Sequence, residues 1–264
     1  MRLLVGIDDT DAPEGYGTGH RARDLGARLA QRGLGRVDGI TRHQLLVSPE
    51  IPYTSHNSSA CLVVCAPESS CRPAGARDRA QVTNAAAWTA AVVDEVRAYL
   101  ITESAVGSDA GLCVANADQV GPPAIAFGRR AKVEVLTGDD AHGLAARLGY
   151  ALEGVTGTRL GVIGALAAVG LRAGGDDGRF LWRAGLRDIL GVHTPASLAA
   201  TAGIDEVATL EGESVPAGAL IDVGEWVRPV LRGGKAVLLA ERVGGHHEHE
   251  WQAVGKDVVK RLSN

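Results

Sequence analysis

Leu3-Leu-Val-Gly-Ile-Asp-Asp-Thr-Asp11 begins as the chain's first apolar run and ends in acids. Aliphatic residues lead through Gly6 and Ile7 into three carboxylates within four positions, Asp8, Asp9 and Asp11. A short apolar run bounded in this way reads as a buried strand, predicted over residues 2–7. The acids then stand at its C-terminal end, the edge of an α/β sheet where ligands gather. Like charges this close cost free energy unless a cation neutralises them or solvent screens them. Magnesium carrying a phosphate would do the first, and an exposed acidic turn would do the second. Spacing alone leaves both open.

Downstream, Gly15-Tyr-Gly-Thr-Gly-His20 opens a helix predicted over 18–32, with Ala22, Leu25, Leu29 and Ala30 on one face. Glycines at a helix start leave backbone N–H groups accessible, and the N-terminus attracts anions. Thr18 either caps this helix or presents its hydroxyl to a phosphate. The Gly-x-x-x-x-Gly-Lys-Ser/Thr phosphate loop is absent, so the order strand, acids, glycine-flanked threonine, helix is a different nucleotide device.

The rest alternates in the same way. Strands are expected near 43–48 and 59–65, separated by Ser48-Pro-Glu-Ile-Pro-Tyr-Thr-Ser-His-Asn-Ser58, a shaped loop because Pro49 and Pro52 lack backbone donors. A helix is predicted over 83–102 with Thr83 as its cap, followed by the glycine-containing Val106–Val114 segment. After Pro122-Pro123 a helix is expected over 139–153. A glycine-rich turn from Gly154 to Gly161 then leads into a second helix to about 169, and a strand follows near 178–182. Residues 196–264 read as a small β-rich appendage with apolar runs near 218–223 and 235–240.

Bulk properties bound the function. A chain of 264 residues, 45% hydrophobic and 22% charged, carries enough apolar surface for two domains or slightly more. Net charge is −4 and aromatics make up 4%, which argues against an RNA-gripping surface. No basic segment precedes an apolar stretch and no apolar run reaches the ~18 residues of a membrane span, so a cytoplasmic protein without membrane association is expected. Cys61, Cys65, Cys71 and Cys113 form no Cys-x-x-Cys pair, and Cys61 and Cys65 sit in an apolar run as small hydrophobes. Phe127-Gly-Arg-Arg-Ala-Lys132 reads as a solvated cationic face, and His246-His-Glu-His-Glu250 as a surface loop rather than a metal site.

Four ordered segments over residues 1–185 resemble the archaeal agmatidine synthetase family, which acts on an isoleucine tRNA. They are Gly6-Ile-Asp-Asp-Thr-Asp11 with Thr18, Ser48-Pro-Glu-Ile-Pro-Tyr53, Gly107-Ser-Asp-Ala-Gly-Leu112 and Gly161-Val-Ile-Gly-Ala-Leu-Ala167. The resemblance implies an α/β (α+β) fold: a kinase-like ATP-binding domain over 1–115, a ferredoxin-like domain over 116–195, and the β-rich segment over 196–264. It implies Mg·ATP as cofactor, with Asp8, Asp9, Asp11 and Thr18 catalytic and Asp8 and Asp11 on the metal. Gly15, Gly17, Gly19, His20, Gly107, Ser108 and Asp109 would bind the nucleotide. His56, Asn57, Gly161 and Gly164 would bind substrate, an amine among the partners. In that family ATP phosphorylates a base's carbonyl oxygen and the amine of agmatine displaces phosphate. The chain departs from the pattern where Thr54-Ser-His-Asn-Ser58 stands in place of a Lys-Thr-Arg-Gly-Asn run, and no counterpart is evident for the family's OB-like and zinc-ribbon domains. The expected activity is an ATP-dependent ligase or phosphotransferase, acting on a small molecule rather than free tRNA because of the negative net charge and few aromatics. The alternatives are a non-catalytic nucleotide-binding module, or a tRNA-modifying enzyme working with a partner.

Overall fold

Strand β1, Arg2–Asp8, buries every residue after the first, as its aliphatic run requires. The computed structural model describes residues 1–10, 17–51, 57–67, 79–244 and 250–263. Two compact units divide the chain, residues 1–173 and 174–264. The boundaries drawn from sequence, 115/116 and 195/196, both fall within these units, and the first cuts a strand.

In the first unit the order is β1, α1 (Thr18–Gln31), β2 (Arg36–Gln44), β3 (Ser58–Cys65), α2 (Arg79–Glu103) and β4 (Gly111–Asn116). α3 (Pro122–Arg130), α4 (Gly138–Leu148), β5 (Ala151–Gly154) and α5 (Val162–Gly174) follow. The strands lie in the order β5-β4-β1-β3-β2, each antiparallel to its neighbours. Alternation along β1 sends Leu3, Val5 and Ile7 to one face and Leu4, Gly6 and Asp8 to the other. α1 and α2 cover the first face, where Gly26 lets α1 settle onto Val37, Ile40 and Leu62. Tyr99 of α2 ties the two helices by donating from its hydroxyl to Asp24 Oδ2 at 2.9 Å. The second face builds a core of Leu4, Cys61, Val63 and Cys113 against α3, α4 and α5.

Several boundaries differ from expectation. β2 covers 36–44 rather than 43–48, because pairing with β3 continues through a bulge between Val37 and Gly39. α2 begins at Arg79, ahead of the Thr83 expected to cap it. The helix expected over 139–153 stops at Leu148 on the left-handed Gly149 (φ 70°), and residues 151–154 pair with β4 instead. α3 has no counterpart among the expected elements. It starts on Pro122-Pro123, whose missing N–H groups are tolerated in a first turn.

The second unit holds β6 (Arg179–Trp182), β7 (Val192–His193), α6 (Pro195–Ala202), β8 (Glu206–Ala208), β9 (Ile221–Asp222), β10 (Val230–Arg232), β11 (Lys235–Arg242), β12 (Trp251–Ala253) and α7 (Lys256–Leu262). Its sheet is mixed: β8 runs parallel to β11 and β9 parallel to β12, while the other pairings are antiparallel. β6 joins this sheet through Arg179 opposite Val230, so the strand expected to complete the middle domain belongs to the C-terminal unit. Phe180, Leu198, Leu231, Leu238 and Trp251 form its core. Across the described residues no helix is long and apolar enough to cross a membrane.

Candidate functional site

Asp8 and Asp9, at the end of β1, do not trail into solvent. Asp8 is 8% exposed, and Asp9 turns into the left-handed region at φ 50°, which a non-glycine residue occupies at some cost. Such outliers cluster at ligand clamps and active sites, and this one stands beside a cleft. Thr10 then closes inward, fully buried, its carbonyl accepting from Ala105 N at 3.2 Å.

Asp8 and Asp9 line a cleft offering about 170 Å³ of water-accessible space. Gly161, Ile163 and Gly164 at the start of α5 line it with them, and three further carboxylates, Glu50, Asp109 and Glu134, complete the charged lining. Among the described residues no Lys, Arg or His is part of that lining. Leu45, Ile51, Leu136, Val135 and Leu160 supply apolar walls. An acid-rich cleft with apolar sides suits a cation carried on an alkyl chain, because the walls cover the methylenes while the carboxylates meet the charge.

Local chemistry explains how each wall is held. Ser48-Pro-Glu-Ile51 forms a turn, with Ile51 N donating to Ser48 O at 3.1 Å and Glu50 N to Ser48 Oγ at 3.3 Å. Ser at the first position and Pro at the second are what such a turn favours. It brings Glu50 and Ile51 to the cleft. Asn57 is anchored by its amide donating to Leu46 O at 2.7 Å. Glu134 accepts from Arg130 Nε at 2.9 Å, a half-exposed pair that solvent screens. Asp109 accepts from the backbone and hydroxyl of Thr158, the latter at 2.6 Å, and its own carbonyl receives Gly161 N at 3.0 Å. Ser108, buried, lies against Thr156, whose hydroxyl receives Ala110 N at 2.8 Å. The 107–110 and 154–161 loops are therefore one interlocked support for the floor of the cleft.

The expected residues sort accordingly. Asp8, Asp9, Asn57, Asp109, Gly161 and Gly164 come together around the cleft. Gly17, Thr18, Gly19 and His20 stand at the start of α1 and do not line it. Thr18 is the first helical residue; the cap is Gly17, without a side-chain cap bond, so Thr18 does not cap the helix. Its buried hydroxyl instead receives Thr10 Oγ1 at 3.3 Å. His20 is exposed and meets Arg23, while Gly107 is an exposed left-handed turn residue (φ 85°). Asp11, Gly15 and His56, with Cys71 and the histidines of the 246–250 segment, lie outside the described residues.

Glu50 and Glu134 are cleft residues that sequence reasoning misses. The only local signal is the turn around Pro49, and nothing in the 127–134 run announces which side chain reaches the cleft. Two other buried polar side chains, Thr41 and His43, contact each other at 2.8 Å on the α5 face of the sheet. Burial pushes the Cys61 thiol up to about 12 and raises Cys113 as well, which disfavours the thiolate form of both at neutral pH. Among the described residues no group of three or more His, Cys, Asp or Glu is arranged to hold a metal ion.

Fold and cleft together define a mixed α/β protein whose first strand delivers carboxylates to the N-terminus of a glycine-bearing helix. The same class appears in solved structures of TiaS, an agmatidine synthetase of isoleucine tRNA. The complex of TiaS with tRNA and ATP matches 64% of this chain and 36% of its own, with TM-score 0.50 and 26% identity. A tRNA fluorescent labeling enzyme matches 64% and 36%, with TM-score 0.49 and 27% identity. The complex of TiaS with tRNA, AMPCPP and agmatine matches with TM-score 0.48 and 26% identity, again over 64% and 36%. The chain thus spans about a third of the length of the proteins it matches. No protein-family model and no curated protein matches it. The small-molecule acceptor expected from charge and composition gains no support, since the matched TiaS structure is a complex with tRNA.

Proposed function

We propose that this chain carries the ATP-handling and amine-handling parts of an ATP-dependent ligase of the agmatidine synthetase kind, joining an amine to a nucleobase of RNA. The observation that carries the reading is the convergence of Asp8 and Asp9 with Glu50, Asp109 and Glu134 on one cleft, in a fold shared with ATP-bound TiaS. Five carboxylates are more than one magnesium ion uses, since that ion binds through one or two carboxylates and completes its shell with phosphates and water. Asp8 and Asp9 fit that share of the work, which is also why no protein-only metal cage is required. The remaining acids favour a protonated amine.

The chemistry follows from charge. Oxygen on a base carbonyl leaves poorly until it attacks the γ-phosphorus of ATP, releasing ADP; an amine nitrogen then adds to the carbon, and phosphate departs with the oxygen. Magnesium, when bound, would neutralise the phosphates during the first step. Asp8 and Asp9 hold that charge at the end of β1, and the N-terminus of α1 beside Thr18 offers backbone N–H groups to phosphate oxygens. The cleft acids hold the amine's distal charge, and Leu136, Ile163 and Leu160 shield its chain from water.

Purified protein is to be incubated with Mg·ATP, a cytidine-bearing tRNA transcript or free cytidine, and a panel of agmatine and polyamines, with products read by mass. RNA gaining the mass of the amine less water is expected, with phosphate released only when both partners are present. Mg·ATP should raise the melting temperature of the wild type, and Asp8→Ala should abolish that rise. A Mg·ATP response with no product from any pairing would make the chain a nucleotide-binding module. Absence of any nucleotide response would remove the reading altogether.

A further inference from the structure

Helix α5 lies so close to the sheet that ordinary side chains have no room between them. A Cβ placed on Gly6 of β1 would fall 2.1 Å from the carbonyl oxygen of Ala165, and one on Gly111 of β4 would fall 2.4 Å from Val162 N. One turn of the helix therefore rests on the bare backbone of two adjacent strands. Asp8 follows Gly6 on the same face, where it meets α5 with a full side chain. The helix makes space for it: a Cβ on Gly164 would lie 1.8 Å from Asp8 Oδ2, 2.4 Å from Cγ and 3.0 Å from Cβ. All three of the nearest obstacles at that position belong to this one residue. The Asp8 carboxylate thus occupies the volume a side chain at 164 would fill, and its 8% exposure is the small part that opens to the cleft.

We infer that Gly164 is a positioning residue for Asp8 rather than a substrate contact. Its missing side chain is a notch in α5 that admits the carboxylate, with the positive end of the helix beside it. The inference rests on the proposed role of Asp8 toward Mg·ATP only for its functional consequence; the packing relationship stands by itself. A methyl group at 164 cannot coexist with the carboxylate where it is, so one must move. The free end of the carboxylate is the part able to swing, toward the cleft and away from the metal-holding position.

The test pairs Gly164→Ala with Asp8→Ala and Asp8→Gly. In an otherwise native chain Gly164→Ala should lower Tm, despite the helix-favouring nature of alanine. With Asp8→Ala the loss should shrink, and with Asp8→Gly the same substitution should become neutral or raise Tm. Should Gly164→Ala alone fail to fold, recovery of folding in the Asp8→Gly background supports the inference, and failure to recover overturns it. An equal Tm loss in all backgrounds would also overturn it, since the obstacle would then be something other than Asp8. The second readout is Mn²⁺ binding in the presence of a non-hydrolysable ATP analogue, followed by the metal's EPR signal. Folded Gly164→Ala should bind Mn²⁺ at least ~10-fold more weakly, which corresponds to about 1.4 kcal/mol. Unchanged Mn²⁺ affinity in that variant overturns the positioning role. If wild type binds no Mn²⁺ with nucleotide while the Tm coupling holds, the notch is upheld and the nucleotide reading fails instead.

Discussion

Thr18→Val replaces a buried hydroxyl by a methyl of almost the same shape, and its cost can be worked from the neighbours of Thr18. Thr10 is fully buried and donates its hydroxyl to Thr18 at 3.3 Å, long for an O–H···O bond. A net hydrogen bond contributes about 0.5–1.5 kcal/mol, with this length placing it at the low end, and leaving a buried hydroxyl unsatisfied costs about 1–3 kcal/mol. We therefore predict a loss of about 1–2 kcal/mol, or roughly 2–8 °C in Tm for a chain of this size. Thr18→Ser keeps the oxygen and removes one methyl, costing about 0.8 kcal/mol. If the hydroxyl also meets a phosphate, its loss removes a bond to a charged group, about 1.5–3 kcal/mol. That corresponds to roughly 10- to 150-fold in rate. Thermal melting and phosphate release, measured on the same preparations, give both numbers. The expected pattern is Val slow and moderately destabilised, Ser near wild type in rate. A Thr18→Val protein as stable and as active as wild type would refute the reasoning, and one destabilised yet fully active would confine Thr18 to holding Thr10.

Three further outcomes are expected. Gly6→Ala should cost at least about 1–3 kcal/mol, because its methyl would meet a backbone carbonyl rather than a yielding side chain; calorimetry showing no loss would mean that α5 shifts freely on the sheet. Asp140 accepts from Thr137 in a capping box and is held below its ordinary range by those hydrogen bonds. Its contribution is present above the unfolded carboxylate pKa and lost as pH falls through the lower folded one, so Asp140→Asn should lower Tm at pH 7 and not at pH 2; a pH-independent difference would contradict this sign. Cys61 and Cys113 should resist iodoacetamide in the native protein at pH 8 and react fully on unfolding, which mass spectrometry of timed digests reads; rapid native labelling of either would show that the core opens there.

Whatever depends on near neighbours along the chain is legible from the residues alone. β1, α1 and α5 are legible because a buried strand, an amphipathic helix and a glycine-bearing helix start each declare themselves within a dozen residues. The placement of Asp8 and Asp9 at a strand end follows from the same short stretch. Tertiary structure decided whatever depends on a partner far away. β2 reaches back to Arg36, across charged and glycine positions that no propensity favours, because β3 supplies its hydrogen bonds. α3 holds on a two-proline start because Ala124 and Phe127 pack against α5. Thr18 reads as a cap from its position, but the helix begins one residue earlier in its hydrogen-bond pattern and Thr10 takes the hydroxyl. Glu50 and Glu134, 84 positions apart in the chain, share a cleft with Asp8 only because the 48–51 turn and the segment after α3 close on it. A carboxylate's reach is a few ångströms, whereas sequence separation carries no distance once the chain has folded, so the acids of the cleft could be gathered only by the fold.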